Sequence, residues 1–137
     1  MNNEETNLTI FNEGKSNAYC SIQPTTEKEK KFLFNALETC DVLLNDCVGS
    51  EIEISDIYIE QRQVPDEETG ELKIKYRTIL FDKNGQTYAT GSYGIYNVLK
   101  KLVQIYGLPT EWKEPLKVKV IKRSIGDGKQ SLTLQLM

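Results

Sequence analysis

Basic side chains at alternating positions are the residues in this sequence best suited to forming a binding site for an anionic ligand. Lys73, Lys75 and Arg77 occupy every second position, and a second group follows near the end of the chain. In a strand every second side chain lies on one face, so this spacing gathers separate charges into a patch. Such a patch neutralises the phosphates of a polyanion, above all a nucleic acid. The candidate nucleic-acid-binding cations are Lys73, Lys75, Arg77, Lys117, Lys119, Arg123 and Lys129.

The charge along the chain divides into two unequal halves. Residues 1–71 contain 5 Lys and Arg against 16 Asp and Glu, whereas residues 72–137 contain 12 against 4. The halves therefore carry −11 and +8, which sum to the net charge of −3. A chance distribution of surface charge is the alternative interpretation. Alternation along strands favours a functional patch, because it places the charges on common faces.

Aromatic side chains are the second kind of group that binds single-stranded nucleic acids, because unpaired bases stack on their rings. Tyr58 and Tyr88 are the candidate stacking residues. Tyr76 alternates in phase with apolar neighbours, so it fits either a core position or a stacking platform. Trp112 likewise fits either a platform or a cover over a helix.

The absence of histidine removes the Ser/His and Cys/His pairs and the histidine-ligated metals that many enzymes use. The acidic run at residues 65–71 contains Pro and Gly, which is typical of a solvated turn rather than a metal site. Three cysteines without CxxC spacing indicate neither disulfides nor a zinc site. We therefore expect no catalytic activity, no metal and no cofactor.

A strand and a helix are predicted in the N-terminal part of the chain. The strand covers residues 17–23, and the helix begins after Thr26, which has capping-box spacing with Glu29. The helix is expected to continue to Gly49, a residue suited to ending it. Its predicted apolar stripe consists of Leu33, Leu37, Cys40, Leu44 and Cys47.

Alternating and helical patterns then follow one another to the end of the chain. The strand at residues 51–64 changes face near Ser55 and Asp56, which indicates a bulge or a sharp coil. Two more strands are joined by an Asn-Gly turn at Asn84. A helix from about Ser92 to Tyr106 follows, which Ser92 can cap and which Gly107 is suited to end. Two last strands flank the turn Gly126-Asp127-Gly128. The stripe of the second helix consists of Ile95, Leu99, Leu102 and Tyr106.

This order of elements is that of an OB-fold, whose first strand bends and whose helix lies between the third and fourth strands. We therefore predict a mainly β, OB-fold-like barrel with two helices, in which an N-terminal strand-helix addition precedes a β-β-β-α-β-β barrel. Residues 1–14 are expected to form a flexible acidic N-terminus and residues 15–137 a single OB-like domain, with the addition at 15–50 and the barrel at 51–137. An unrelated α+β sheet with helices on one face fits the same order.

Several runs in the second half are distinctive. They are Tyr76-Arg77-Thr78-Ile79-Leu80, Asp82-Lys83-Asn84-Gly85, Ser92-Tyr93-Gly94-Ile95-Tyr96 and Pro115-Leu116-Lys117-Val118. Over about residues 50–137 the chain resembles small single-stranded DNA-binding proteins of phages and mobile elements of Gram-positive bacteria. The resemblance implies a replication accessory that coats transient single strands without sequence preference. Residues 132–137 lack the acidic tip of the better-known bacterial single-strand binders, so recruitment of partners through such a tip is not expected.

The sequence predicts a non-enzymatic, sequence-tolerant single-stranded DNA-binding protein that protects or organises DNA during phage or mobile-element replication. The expected partners are single-stranded DNA, replication proteins and further copies of the chain. The chain lacks a long apolar run and the pattern of a signal peptide, so we expect no membrane contact and a place in the cytoplasm of the host cell. The alternative is a small phage-type protein-interaction module, an inhibitor or adaptor, that uses its acidic N-terminal half.

Overall fold

The computed structural model describes residues 17–137, which form a mainly β fold with two α helices. The expected flexible terminus at residues 1–14 lies outside the described residues. Short 3-10 turns occur at Leu44–Cys47 and Pro109–Glu111. The elements are β1 (Asn17–Cys20), α1 (Glu27–Glu38), β2 (Val42–Leu43), β3 (Glu51–Pro65), β4 (Leu72–Asp82), β5 (Thr87–Thr90), α2 (Tyr93–Tyr106), β6 (Leu116–Gly126) and β7 (Lys129–Leu136).

The long strand β3 organises the sheet, whose order is β2-β5-β4-β3-β6-β7. One edge of β3 pairs with β4, while the other edge pairs first with β6 and then with β1. The register with β4 shifts between Ile54 and Asp56, and Ser55 Oγ donates to the Asp82 carbonyl at 3.1 Å. The predicted bulge is confirmed. It bends β3 so that the sheet curls into a half-barrel consistent with an OB-like fold.

Two apolar clusters cover the two sides of this sheet. The inner one packs α2 against the concave side, where Ile54, Leu80 and Leu99 are fully buried. The outer one packs α1 against the convex side through Ile79 and Phe81. Residues 78–81 of β4 are therefore buried on both faces, and each large apolar side chain there contributes about 1.5–3 kcal/mol. The predicted alternation of β4 is lost in this stretch because α1 covers the second face.

The first helix is shorter than predicted. α1 begins as expected, since Thr26 Oγ1 accepts the Glu29 N–H at 3.1 Å, but it ends at Glu38. The backbone N–H and a carboxylate oxygen of Asp41 both bond to Thr87 at 3.0 Å, which draws the chain into β2 beside β5. The apolar spacing in the sequence continues beyond Glu38, but the helix does not. Cys40 consequently lies in the connection between α1 and β2, whereas Cys47 ends the 3-10 turn that follows β2, and each is half-buried.

The second helix follows its prediction closely. Ser92 Oγ accepts the Ile95 N–H at 3.4 Å. At the other end of α2, Gly107 forms the C-cap with φ +84°, and its N–H donates to the Val103 carbonyl. Tyr106 departs from the predicted buried stripe, because it is exposed at the last position of the helix. Gly94 lets α2 approach β7 closely: a Cβ there would overlap the Ser131 hydroxyl and the Leu132 carbonyl. No helix among residues 17–137 is long and apolar enough to cross a membrane.

Candidate nucleic-acid interface

The β3–β4 hairpin extends beyond the end of β5 and presents a basic surface. Arg62 lies directly opposite Lys75 in the ladder, and Lys73 and Arg77 follow on the same side of β4. All four side chains are exposed, and we call them the basic face. Like charges directly opposite each other are unfavourable on a sheet. An arriving anion would remove that repulsion.

The cations of the basic face differ in their surroundings. Lys73 forms an ion pair with Asp66, in the turn between β3 and β4, and this pair lowers the pKa of the Asp66 carboxyl. Among residues 17–137, Arg62, Lys75 and Arg77 make no ion pair. These three charges are therefore the unpaired cations of the face, and Glu60 lies directly opposite Arg77 in the ladder.

Three tyrosines meet on the concave side of the same hairpin, and we call them the tyrosine cluster. Tyr76 of β4 lies 4.2 Å from Tyr96 and 5.4 Å from Tyr93, centroid to centroid, both in α2. The neighbouring rings exclude water from Tyr76, which raises the pKa of its hydroxyl. Tyr93 is 59% exposed, and Lys100 Nζ lies 5.7 Å from the Tyr96 ring centre. An open aromatic surface beside a cation is suited to stacking bases.

A groove at the free edge of β4 joins the basic face to the tyrosine cluster. Its lining includes Lys75 from the first surface and Tyr76 and Tyr93 from the second. Gly91 lies at the same edge, and a Cβ on it would come within 3.3 Å of the Tyr76 carbonyl. The narrow backbone of glycine keeps this passage open. The groove thus connects Lys75, on the convex side of the hairpin, with the tyrosine cluster on its concave side around the edge of the sheet.

The predicted stacking residues Tyr58 and Tyr88 lie on opposite sides of the sheet. Tyr88 packs on the inner cluster, and its hydroxyl donates to Gln86 Oε1 at 3.1 Å. Tyr58 packs on the outer cluster beneath α1 and donates to Glu60 Oε2 at 2.8 Å. Burial, together with this hydrogen bond, raises the pKa of Tyr58 to about 12. The structure therefore does not bring these two rings onto one surface.

The predicted cations of β6 and β7 form a separate group. Lys117 lies opposite Glu53 and pairs with Glu51 at 3.0 Å, which raises the pKa of Lys117. Lys119 lies opposite Glu51 in the same ladder. The other two cations of this group are exposed near the tip of the β6–β7 hairpin, which extends past the opposite end of β3 from the basic face; they are Arg123 and Lys129.

Sequence reasoning missed Arg62, Tyr93, Tyr96 and Lys100. The last three could have been found from their spacing, because positions i, i+3 and i+7 lie on one side of a helix and the apolar stripe of α2 lies on another. Arg62 carried no such signal. It became part of the basic face only through its register with Lys75.

Comparison with known proteins gives two matches. The family model described as "Phage Single-stranded DNA-binding protein", of the phi29 type, matches residues 12–137. A protein of Bacillus phage GA-1, named "Single-stranded DNA-binding protein", is 30% identical over 114 residues, which covers 79% of this chain and 67% of that protein. No solved structure matches the chain.

Proposed function

This chain belongs to the family of phage single-stranded DNA-binding proteins, and we propose that it coats single-stranded DNA without sequence preference during phage or mobile-element replication. In that role it would protect and organise the strand in the cytoplasm of the host, beside the replication proteins that use it. The proposal assigns no catalytic step and no cofactor.

One observation carries the proposal: a single groove is lined by Lys75 of the basic face and by Tyr76 and Tyr93 of the tyrosine cluster. Phosphate contacts from Arg62, Lys75 and Arg77 would supply affinity that is the same for every sequence. Stacking on Tyr93 and Tyr96 would also tolerate any base, because every base has a π-face. Both kinds of contact ignore base identity, which supports sequence-tolerant binding.

We take the curled sheet as an OB barrel in which β3, β4, β5, β6 and β7 are strands one to five. In that fold the second and third strands and the loop between the first and second strands contribute to oligonucleotide binding. Here that loop carries Glu67, Glu68 and Glu71, all exposed, which would repel phosphates. The strand would therefore cross the middle of the hairpin rather than its tip.

The alternative of an acidic interaction module has no comparable support. Glu51 and Glu53 of β3 are paired with Lys117 and Lys83, at 3.0 and 2.6 Å. Pairing of the acidic and basic halves of the chain thus interrupts the continuous acidic face that a nucleic-acid mimic would need.

A direct test compares three fluorescent ligands of equal length: oligothymidine, a mixed-sequence single strand and a duplex. We expect the two single strands to bind with similar affinity and the duplex to bind much more weakly, because its bases cannot stack on the tyrosines. Equal affinity for the duplex and the single strands would mean that the protein binds polyanions in general rather than single-stranded DNA. A strong preference for one single-stranded sequence would contradict sequence tolerance.

A further inference from the structure

An apolar cleft of about 370 Å³ opens between β1, β3 and α2. Ile57 and Ile59 form its floor on β3, and Leu99 and Val103 form its wall on α2. The ring of Tyr19, from β1, closes a third side. Its volume lies within the range of small-molecule pockets, which are apolar cavities with a few polar groups.

The cleft is continuous with the tyrosine cluster. Tyr96 lines the cleft and also contacts Tyr76, so one ring belongs to both surfaces. Lys100 lies at the same place, over the Tyr96 ring and on the border of the cleft. A strand stacked on the tyrosine cluster would therefore carry its next nucleotide to the mouth of the cleft, with a cation beside the connecting phosphate.

Polar groups line the border of the cleft and suit a base of any identity. Gln61 of β3 and Gln104 of α2 supply amide groups, each with both donors and acceptors. The Tyr19 hydroxyl is protonated at neutral pH like that of any tyrosine, and burial raises its pKa further. An amide that can rotate presents a donor or an acceptor as the base requires, so this border need not select a sequence.

We propose that the cleft between β1, β3 and α2 is a nucleobase site that receives one base of the bound single strand, turned out of the stack formed on the tyrosine cluster. The inference rests on the proposed function and deepens it. The apolar walls match the planar aromatic body of a base, and the amides match its edge. Extrusion is inexpensive here, because a base in a single strand has no pairing partner to lose.

The test fills the cleft without altering the basic face or the tyrosine cluster. Val103→Phe places a ring in the open cleft, since Val103 is only partly buried at its wall. Val98→Phe is the matched control: Val98 is also partly buried on α2 but lies in a different groove, between that helix and β7. Each variant is titrated with oligothymidine and with an abasic deoxyribose-phosphate oligomer of the same length.

We expect Val103→Phe to weaken oligothymidine binding about tenfold, the lower part of the range for losing one base contact. The affinity of Val103→Phe for the abasic oligomer should equal that of the wild type. Val98→Phe should bind both ligands with wild-type affinity. If Val103→Phe does not fold, Leu108→Trp blocks the cleft from its border outside the helix.

Two other outcomes overturn the nucleobase site. One is unchanged oligothymidine binding by a folded cleft-filling variant, and the other is an equal loss with both oligomers. Failure of the wild type to bind oligothymidine would instead overturn the proposed function itself. The two proposals therefore fail in distinguishable ways.

Discussion

Individual aromatic residues of this protein lie in different environments, and their burial distinguishes them. The alternation of Tyr76 with its apolar neighbours was compatible with a core position or with a base-stacking platform. In the structure Tyr76 is half-buried, and one side of its ring lies against Tyr96. Trp112 packs on the inner cluster, and its Nε1 donates to the Gly107 carbonyl at 2.9 Å, so it covers the end of α2. Tyr93 is the most exposed ring of the tyrosine cluster, which makes it the residue on which stacking can be tested.

The first prediction concerns Tyr93→Ala. The loss of one stacking ring should weaken oligothymidine binding by roughly 1–3 kcal/mol, while the free energy of unfolding stays within about 0.5 kcal/mol, as for an exposed side chain. Tyr106→Ala is the matched control, because Tyr106 is an exposed tyrosine on the same helix and outside the tyrosine cluster. Equal affinity for the two variants would remove Tyr93 from the interface.

The second prediction concerns the ion pair between Lys73 and Asp66. Asp66→Asn should release Lys73 for a phosphate, so low-salt affinity should rise and the slope of log affinity against log salt should steepen by about 0.7. Asparagine keeps an oxygen that can accept the Glu68 N–H, now bonded at 2.7 Å. Glu68→Gln removes the same charge from the same turn without touching Lys73. If both variants gain equally, the effect comes from the net charge of the turn.

At the scale of elements, the two helices have different relations to the sheet. α1 covers the convex side of β4 and leaves the hairpin beyond it uncovered, which is why the basic face begins where the outer cluster ends. α2 fills the concave side and carries two rings of the tyrosine cluster. The position of α2 on the sheet therefore sets the geometry of the tyrosine cluster.

The third prediction tests that position through Gly94→Ala. Alanine normally favours a helix over glycine by about 1 kcal/mol, but here the added methyl group would overlap Ser131 and the Leu132 carbonyl of β7. We therefore expect the opposite sign, a loss of about 1–3 kcal/mol as for overpacking, measured by urea unfolding. Lys101→Ala on an exposed part of the same helix should change stability little. A gain in stability for Gly94→Ala would contradict the close contact between α2 and β7.

At the scale of the whole molecule, strand pairing rearranges the charges of the two halves of the sequence. β3 belongs to the acidic half, yet it lies between β4 and β6 of the basic half. Some cations are neutralised by this arrangement, as Lys83 and Lys117 are. In the hairpin beyond β5, Arg62, Lys75 and Arg77 make no ion pair with any of residues 17–137, whereas Lys73 is paired with Asp66. A molecule with a net charge of −3 thus keeps a locally basic surface.

The fourth prediction concerns salt. Log affinity for oligothymidine should fall with log salt, and the double variant Lys75→Ala/Arg77→Ala should show a slope shallower by about 1.4, the loss of two phosphate contacts to a single strand. The control, Lys101→Ala/Lys113→Ala, removes two exposed charges outside the proposed path. An identical slope in the two double variants would mean that overall charge, rather than the basic face, determines binding.

Features that depend on a few neighbouring residues could be predicted from the local amino-acid pattern. The caps at Thr26 and Ser92, the bulge at Ser55 and the turn at Asn84 all occur where the pattern predicted them. Each rests on a backbone hydrogen bond or a torsion angle that the local residues specify. The mainly β character and the two helices followed from the same local patterns.

Contacts between residues far apart in the chain could not be predicted in this way. The contact between Asp41 and Thr87 ended α1 early, although the apolar pattern continued. The register of β3 with β4 placed Arg62 beside Lys75. Packing of α2 on the sheet brought rings from two elements into one tyrosine cluster. Contacts between residues far apart in the chain depend on strand register and helix packing together, and no local pattern specifies either.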